Sequence, residues 1–208
     1  MKAVILAGGL GARLRPFTEV IPKPLLPIGE KSIMEIQIGI LAQYGFDHIY
    51  VATNYMADYV EAFLGDGSRL GVELTYSREE KPLGTAGPLS LLRDELVEPF
   101  VLMNGDILTK LNFSAFYDFG RRQEVDLTIA TKIITTPFRF GNVIIDEHGY
   151  VVDVEEKPEF RLEILAGIYF LRPAALRFIP DDQYYGMDQL IKSMLAGRQL
   201  VARYLIQE

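Results

Sequence analysis

The sequence predicts an α/β fold in which helices flank a mixed central β-sheet. Short apolar runs alternate with helix-like segments through the first half of the chain, which is typical of parallel strands with crossover helices. The second half is richer in strands and contains a hairpin turn at residues 147–149, which indicates antiparallel or mixed pairing. With 208 residues, 49% of them hydrophobic, and no repeat or linker, we expect one domain over residues 1–208.

The elements of the first half follow from apolar patterning and from turn residues. Residues 2–6 are apolar and lead into Ala7-Gly8-Gly9, so they predict a buried strand that enters a glycine turn. Prolines predict a loop over residues 16–27, and Ser32 with Glu35 forms a capping-box pattern that begins a helix. The other predictions here are strands at 48–53, 72–77 and 100–104, and helices at 56–64, 86–96 and 113–122.

The second half predicts more strands than helices. Strands are expected at residues 126–134, 142–146, 150–155, 165–171 and 200–206, and helices at 173–178 and 187–195. The turn between the strands at 142–146 and 150–155 makes these two a hairpin.

Composition excludes several classes of protein. The chain has no Cys, so it cannot use disulfides, thiolate metal sites or a cysteine nucleophile. A net charge of −7 argues against a protein that coats nucleic acid, and no apolar run approaches the roughly 18 residues of a membrane span. Residues 1–10 are apolar but are followed by Arg13 and Arg15 without a cleavage-like site, so we expect no signal peptide. A soluble, cytoplasmic protein that binds neither nucleic acid nor membrane is therefore expected.

The charge is unevenly distributed, and this points to an anionic ligand. Residues 1–31 carry five bases and two acids, a net +3, which leaves −10 for the rest of the chain. A solvated basic end would be the simplest explanation. However, these bases are interleaved with glycine and proline directly after a strand, as in a phosphate site.

The glycine loop at residues 6–14 has the residues of a phosphate-binding turn. Gly8, Gly9 and Gly11 allow backbone N–H groups to approach phosphate oxygens. Arg13 and Lys23 add cations that can hold a β- or γ-phosphate. The loop is not a Walker A motif, since no Gly-Lys-Ser/Thr follows, and Leu14 stands where a dinucleotide-binding loop has its third glycine. The glycines alone would also be compatible with an ordinary surface turn.

A long signature extends this loop. The run Leu6-Ala7-Gly8-Gly9-x-Gly11-x-Arg13-Leu14-x-Pro16-x-Thr18-x-x-x-Pro22-Lys23-Pro24 resembles that of the sugar-1-phosphate nucleotidylyltransferases. Further matches in order are Pro82-Leu83-Gly84-Thr85-Ala86-Gly87, Asn104-Gly105-Asp106, Phe140-Gly141-Asn142-Val143, Glu155-Glu156-Lys157-Pro158 and Ala166-Gly167-Ile168-Tyr169. The likeness is strongest to the mannose-1-phosphate guanylyltransferase-like branch. It implies a Rossmann-like nucleotidyltransferase sandwich with a mixed central sheet flanked by helices.

The resemblance also implies a reaction and the residues that perform it. A sugar 1-phosphate attacks the α-phosphorus of a nucleoside triphosphate and pyrophosphate leaves, which requires positioning and charge neutralisation rather than a protein nucleophile. Arg13, Lys23 and Asp106 match the catalytic positions, and Asp106 also matches the ligand of Mg²⁺. The nucleotide-binding positions are Leu6, Ala7, Gly8, Gly9, Gly11, Arg13, Lys23, Glu79, Gly84, Thr85 and Asn104. The sugar-phosphate positions are Gly141, Glu156 and Lys157.

The choice of substrates depends on few positions. Glu79 aligns with the residue that reads the base, and a carboxylate that only accepts hydrogen bonds suits the N1–H and N2–H₂ donors of guanine. Glu79 therefore favours GTP, with Glu80 or a backbone group left open as the reader of the base. The resemblance to the mannose-1-phosphate guanylyltransferase-like branch implies mannose 1-phosphate, and UTP or dTTP with glucose 1-phosphate is the alternative. Leu165 stands where the family commonly has a sugar-binding Asn, which leaves the sugar open. A non-catalytic, nucleotide-sugar-binding regulatory subunit is the alternative of another class, and a homo-oligomer also stays open.

One expected segment has no match in the sequence. The family usually places a second metal-binding Asp in a Trp-x-Asp-x-Gly segment after the last strand, and the 208 residues contain no Trp. Either the sequence is truncated, or water, substrate or a partner completes the metal site. We expect weak or lost activity from these 208 residues alone.

Overall fold

The computed structural model describes residues 1–207, and its elements follow the predicted order. The strands are β1 (Lys2–Leu6), β2 (Pro27–Ile28), β3 (Lys31–Ser32), β4 (His48–Thr53), β5 (Glu73–Arg78), β6 (Phe100–Asn104), β7 (Leu127–Pro137), β8 (Asn142–Ile145), β9 (Val151–Glu155), β10 (Glu159–Leu171) and β11 (Val201–Leu205). The α-helices are α1 (Ile33–Gln43), α2 (Ala57–Leu64), α3 (Phe113–Arg122) and α4 (Met187–Ala196). The longest, α1, has 11 residues, and no helix within residues 1–207 is long and apolar enough to cross a membrane.

A seven-stranded mixed sheet organises the molecule. Its strand order is β11-β7-β10-β6-β1-β4-β5. Strands β6, β1, β4 and β5 pair in parallel, β10 runs antiparallel to both β6 and β7, and β11 is parallel to β7. The predicted α/β class with a mixed sheet is therefore confirmed.

The sheet is covered on both faces, because successive side chains of its strands point to opposite sides. Ala3 and Ile5 of β1 pack with α1, α2 and α3 in one core cluster. Val4, between them in sequence, belongs to a second cluster that includes α4 and Leu89. All three β1 side chains are fully buried. This alternation explains why β1 reads as a continuous apolar run rather than a polar–apolar alternation.

The strand order of the sheet reverses at β1, because strands are added on both sides of it. Strands β4 and β5 lie on one side of β1, whereas β6, which comes later in the sequence, lies on the other side. In open α/β sheets, such a switch point leaves a crevice beyond the carboxyl ends of the strands. The topology therefore places a ligand site at the ends of β1 and β6.

Several elements differ from the sequence predictions. The helices expected at residues 86–96 and 173–178 are short 3-10 helices, Gly87–Leu92 and Pro173–Phe178, and the strand expected at 126–134 is the longer β7. In the first of these 3-10 helices, the Ser90 hydroxyl donates to the carbonyl of Gly87 at 2.7 Å and competes with the backbone bonds of an α-helix. The strand expected at 165–171 is the last part of β10, which begins at Glu159 and shifts register between Leu165 and Tyr169.

The hairpin and the first capping box form as predicted. Strands β8 and β9 pair antiparallel as a separate two-stranded sheet, and Gly149 adopts a positive φ of 86° in the turn between them. At the start of α1, Ser32 Oγ accepts the N–H of Glu35 at 3.2 Å, and Glu35 Oε2 accepts the N–H of Ser32 at 2.8 Å. The box satisfies two backbone donors at the beginning of α1.

A pair of helical glycines tests the packing of the helices on the sheet. A Cβ on Gly120 of α3 would lie 2.5 Å from Cδ1 of Phe170, whereas a Cβ on Gly39 of α1 would meet nothing within 4 Å. We expect Gly120→Ala to destabilise the protein by about 1–3 kcal/mol through overpacking. Gly39→Ala should stabilise it by about 0.5–1 kcal/mol, because alanine loses less backbone freedom. Urea unfolding measures both; equal effects would contradict the packing of α3 on β10.

Candidate active site

An open cleft of about 390 Å³ lies beyond the carboxyl ends of β1, β4, β5 and β6. It is therefore located at the switch point of the sheet. Ten residues singled out in the sequence line it: Leu6, Ala7, Gly8, Gly9, Lys23, Glu79, Gly84, Thr85, Asn104 and Asp106. They come from four separate parts of the chain, so the fold brings together most of the predicted nucleotide-binding residues.

Each glycine of the loop after β1 has a different environment. A Cβ on Gly8 would lie 2.8 Å from Glu79 Oε1 and 3.2 Å from Asn54 Cβ, so it would displace the end of the Glu79 side chain and crowd Asn54. Gly9 has open space above it. Gly11 has a φ of +59° and no room for a Cβ against the buried Thr18, whose hydroxyl donates to the Gly11 carbonyl at 3.0 Å. Gly8 and Gly9 line the cleft, whereas Gly11 shapes the loop behind it.

Lys23 and Asp106 form an ion pair at the cleft, although 83 residues separate them in sequence. Lys23 begins a 3-10 helix, Lys23–Leu25, and Asp106 follows the end of β6. The two side chains retain 26% and 43% of their exposure, so an anion or a cation entering the cleft can reach them.

The turn that carries Asp106 is attached to β1. The N–H of Gly105 donates to the carbonyl of Leu6 at 2.8 Å, and a Cβ on Gly105 would collide with that carbonyl oxygen. Asn104 lies next to Leu6 in the β1–β6 register. Its side-chain oxygen is buried and receives no hydrogen bond from residues 1–207. The glycine loop and the Asp106 turn therefore start from adjacent positions on neighbouring strands.

Glu79 lies partly buried at the other side of the cleft, directly after β5. Its Oε2 accepts the N–H of Leu83 at 2.8 Å, and its backbone carbonyl accepts the side-chain amide of Asn54 at 3.0 Å. Burial raises the pKa of the Glu79 carboxyl above its usual value, and the bond from Leu83 partly offsets this effect. The carboxyl is thus held beside Gly8 in a fixed orientation.

Gly84 and Thr85 join this side of the cleft to the start of α4. Gly84 has a φ of +83°, and its Cβ position lies 2.7 Å from the carbonyl oxygen of Tyr185. Thr85 Oγ1 accepts the N–H of Met187, the first residue of α4, at 2.8 Å. These contacts hold the segment before α4 against the cleft, where Tyr184 contributes to the lining.

Arg13 and the predicted sugar-phosphate residues lie outside the cleft lining. Arg13 is exposed on the 3-10 helix Ala12–Leu14 and makes no hydrogen bond or ion pair within residues 1–207. Gly141 precedes β8, and Glu156 and Lys157 follow β9. The hairpin brings these three together: a Gly141 Cβ would lie 3.4 Å from Glu156 Oε2, and Lys157 Nζ is 3.8 Å from Glu156 Oε1.

Three side chains at or behind the cleft were not predicted from the sequence. Asn54 directly follows β4, so its position at the end of a parallel strand is a signal that could have identified it. Tyr184 has no such signal, because it reaches the cleft only through the packing of residues 184–187 on Gly84. Gln37, on the inner face of α1, is 1% exposed and contacts the Asp106 turn from behind.

No cluster of three or more His, Cys, Asp or Glu side chains able to hold a metal ion occurs in the described part of the chain. Asp106 is the one carboxylate of the predicted metal site, and its Oδ2 already binds the Lys23 ammonium. The predicted metal site therefore has one protein carboxylate, and a bound substrate would have to supply further oxygen ligands.

The fold and cleft define an α/β protein with a ligand site at the switch point of its sheet, and the comparisons identify its family. The family model described as nucleotidyl transferase matches residues 2–203. The chain therefore belongs to the nucleotidyl transferase family, which confirms the resemblance stated from the motifs.

Several known proteins are similar to this chain. A UTP–glucose-1-phosphate uridylyltransferase from Synechocystis is 35% identical over 205 residues, which are 90% of this chain and 53% of that protein. Mannose-1-phosphate guanylyltransferase 1 from Arabidopsis thaliana is 38% identical over 184 residues, 85% of this chain and 51% of that protein. The chain thus spans about half the length of these relatives.

A solved structure shows the same fold over nearly the whole chain. HddC from Yersinia pseudotuberculosis, complexed with GMP-PN, has a TM-score of 0.75 and 25% identity. The match covers 99% of this chain and 90% of HddC.

The burial of Glu79 predicts a pH-dependent stability effect. Because its folded-state pKa is raised, Glu79 contributes stability at acidic pH, below the unfolded value of 4.5, and this contribution is lost as the pH rises through the folded pKa. Glu79→Gln keeps the acceptor for Leu83 but carries no charge. We expect its melting temperature to exceed that of wild type at pH 7, by on the order of 2 °C, and the difference to shrink toward pH 4.5.

The matched control is the neighbouring, exposed Glu80. Differential scanning calorimetry should show no pH-dependent gain for Glu80→Gln. A gain for Glu79→Gln that is equal at pH 4.5 and pH 7 would contradict the role of burial.

Proposed function

We propose that this chain transfers a nucleoside monophosphate from a nucleoside triphosphate to a sugar 1-phosphate and releases pyrophosphate. The observation that carries the proposal is the pairing of Lys23 with Asp106 beside the Gly8–Gly9 turn, at the switch point of the sheet. Membership of the nucleotidyl transferase family supports it. We further propose that residues 1–208 act as one nucleotidyltransferase domain and that the enzyme is cytoplasmic.

The residues of the cleft suit an in-line phosphoryl transfer. A phosphate oxygen of the sugar 1-phosphate attacks the α-phosphorus, and the bond from that phosphorus to the β-phosphate oxygen breaks. Backbone N–H groups of the Gly8–Gly9 turn can approach phosphate oxygens, because neither residue has a side chain of its own and the Cβ position of Gly9 is open. The Lys23 ammonium neutralises the charge that develops on the leaving pyrophosphate. Arg13, exposed on the same loop and without a partner in residues 1–207, supplies a second cation that can approach it.

Asp106 has the donor chemistry for Mg²⁺. This cation prefers oxygen ligands and is commonly held by one or two carboxylates together with substrate phosphates and water. A single exposed carboxylate at the cleft fits that pattern, and its attraction for the Lys23 ammonium shows that it accepts a cation. When bound, Mg²⁺ would neutralise phosphate charge during the transfer. Asp106 would hold it, and Lys23 would then be free to contact phosphate.

The hairpin residues form the second half of the proposed site. Glu156 offers a carboxylate to sugar hydroxyls, and Lys157 offers an ammonium to the attacking phosphate. Both side chains are about 70% exposed, so a ligand can reach them from solvent. The backbone of Lys157 has a positive φ of 48°. The Cβ position of Gly141 lies 3.4 Å from Glu156 Oε2, so the Gly141 backbone and the Glu156 carboxylate would contact the same sugar.

The proposed nucleotide is GTP and the proposed sugar phosphate is mannose 1-phosphate. Glu79 lies on the cleft wall with one oxygen on Leu83 and the other beside Gly8, and an ionised carboxylate accepts the N1–H and N2–H₂ of guanine. The similarity to a mannose-1-phosphate guanylyltransferase and to HddC complexed with GMP-PN supports this choice. The similarity to a UTP–glucose-1-phosphate uridylyltransferase favours UTP and glucose 1-phosphate as the second candidate.

A pyrophosphate-release assay over GTP, ATP, UTP and dTTP, each with mannose 1-phosphate and glucose 1-phosphate, tests the substrate assignment. We expect the highest kcat/KM with GTP. Glu79→Gln should lower the GTP value by about 10–100-fold relative to UTP, because one charged hydrogen-bond acceptor is worth roughly 1–3 kcal/mol. The control Glu80→Gln should leave the ratio unchanged. A preference for UTP in wild type, or an unaltered ratio in Glu79→Gln, would refute the assignment.

Lys23 should be essential for turnover. We expect Lys23→Met to lower kcat by about 100-fold or more, because it removes the cation that stabilises the leaving pyrophosphate. Lys81→Met is the matched control, since Lys81 pairs with Asp182 at 2.8 Å on the surface and does not line the cleft. Its kcat should stay within about 2-fold of wild type by the same assay. Strong binding of GDP-mannose without any turnover in wild type would instead favour a regulatory subunit.

A further inference from the structure

Gln37 is buried at the centre of α1 and contacts the turn that carries Asp106. Its side chain is 1% exposed. The amide nitrogen donates to two backbone carbonyls, those of Asn104 at 3.0 Å and Ile107 at 2.7 Å. These carbonyls stand on either side of Asp106 in sequence, so one side chain holds both ends of the turn.

The orientation of the Gln37 amide follows from its partners. Both contacted groups are carbonyl oxygens, which only accept, so the nitrogen must face the turn. The Gln37 oxygen is consequently buried without a donor from residues 1–207. A half-satisfied buried amide is unfavourable for stability compared with an apolar side chain of similar size. The buried amide is therefore better explained by its hydrogen bonds to the carbonyls of Asn104 and Ile107 than by a contribution to the stability of the core.

Few other contacts hold Asp106. Within its turn, the N–H of Ile107 reaches the carbonyl of Asn104 only at 3.4 Å, and the Gly105 N–H binds Leu6 at the start of the turn. The Asp106 side chain itself has Lys23 as its partner and is 43% exposed. Gln37 therefore supplies the two hydrogen bonds that close the turn on the side of the protein core.

The same helix also supports Lys23. The N–H of Ile33, the first residue of α1, donates to the carbonyl of Leu26 at 3.1 Å, and Leu26 in turn donates to the carbonyl of Lys23 at 3.2 Å. Helix α1 is thereby bonded to the segments that carry both partners of the ion pair: to Leu26, three residues after Lys23, and to the carbonyls of Asn104 and Ile107 on either side of Asp106.

We propose that Gln37 is a positioning residue that fixes the Asp106 turn relative to Lys23 through its two hydrogen bonds. It touches neither substrate nor metal and acts through Asp106. The proposal rests on the proposed function for its kinetic test only.

The first test measures backbone order and needs no activity. Amide hydrogen exchange is compared between wild type, Gln37→Leu and the control Gln43→Leu, which alters an exposed residue at the end of the same helix. We expect exchange at the Gly105 and Ile107 amides, which donate to the carbonyls of Leu6 and Asn104, to rise at least 10-fold in Gln37→Leu, with β6 and α1 as protected as in wild type. Unchanged exchange at these amides would overturn the proposal, as would an equal rise throughout the chain. If Gln37→Leu does not fold, Gln37→Met, which conserves the volume with a flexible side chain, replaces it.

The second test is a double-mutant cycle on pyrophosphate release from GTP and mannose 1-phosphate with Mg²⁺. Loss of a residue that supports a metal ligand commonly lowers activity by about 10–100-fold. We therefore expect kcat of Gln37→Leu to fall by about that factor, with KM for mannose 1-phosphate unchanged. Combined with Asp106→Asn, it should lower kcat no more than about 2-fold beyond Asp106→Asn alone, because both changes act on one group. Losses that multiply in the double variant would overturn the proposal. Because we expect weak or lost activity from these 208 residues alone, a wild-type chain that releases no pyrophosphate leaves the exchange measurement to decide this inference.

Discussion

The parallel pairing of β1 with β6 is the constraint on which the rest of the site depends. It places Leu6 opposite Asn104, so the glycine loop and the Asp106 turn leave the sheet at adjacent positions. Because parallel strands end on the same side, both loops extend into one crevice. The bond from the Gly105 N–H to the Leu6 carbonyl continues this pairing one residue past β6, and it requires a glycine there. All further contacts of the cleft are built on that edge.

The cleft brings opposite charges together in a protein with a net charge of −7. Lys23 comes from the basic first 31 residues and Asp106 from the acidic remainder. Without a ligand, the Lys23 ammonium and the Asp106 carboxylate neutralise each other. In the proposed function, an anionic ligand and a divalent cation would replace this internal pair.

The two halves of the proposed site are carried by two different sheets, and the antiparallel strand β10 is connected with both. It enters the sheet between β6 and β7, and its outer part extends beyond the register shift at residues 165–169. The hairpin β8–β9, which carries Gly141, Glu156 and Lys157, connects to the outer parts of β7 and β10 rather than to the parallel core. The proposed nucleotide half of the site therefore lies at the ends of the seven-stranded sheet, whereas the proposed sugar-phosphate half lies on a separate two-stranded sheet.

The sequence by itself determined the α/β class, the strand that begins the sheet, the capping box at Ser32 and Glu35, the hairpin around Gly149 and the family. These features depend on local patterns, such as apolar runs, turn residues and motif spacing, which act within a few residues of each other. The prediction of an α-helix at 86–96 was wrong, because an apolar pattern does not record individual hydrogen bonds such as that of the Ser90 hydroxyl to the Gly87 carbonyl.

Only the tertiary structure decided which of these residues meet. The ion pair of Lys23 with Asp106, the closeness of Gly8 to Glu79 and the contact of Gln37 with the Asp106 turn join segments that lie 67 to 83 residues apart, Glu79 and Gly8 being 71 apart. No local pattern records such distances, because strand order and register set them. The motifs identified the residues of the candidate site, and the tertiary structure placed most of the predicted nucleotide-binding residues around one cleft, with Gly141, Glu156 and Lys157 on the hairpin outside its lining.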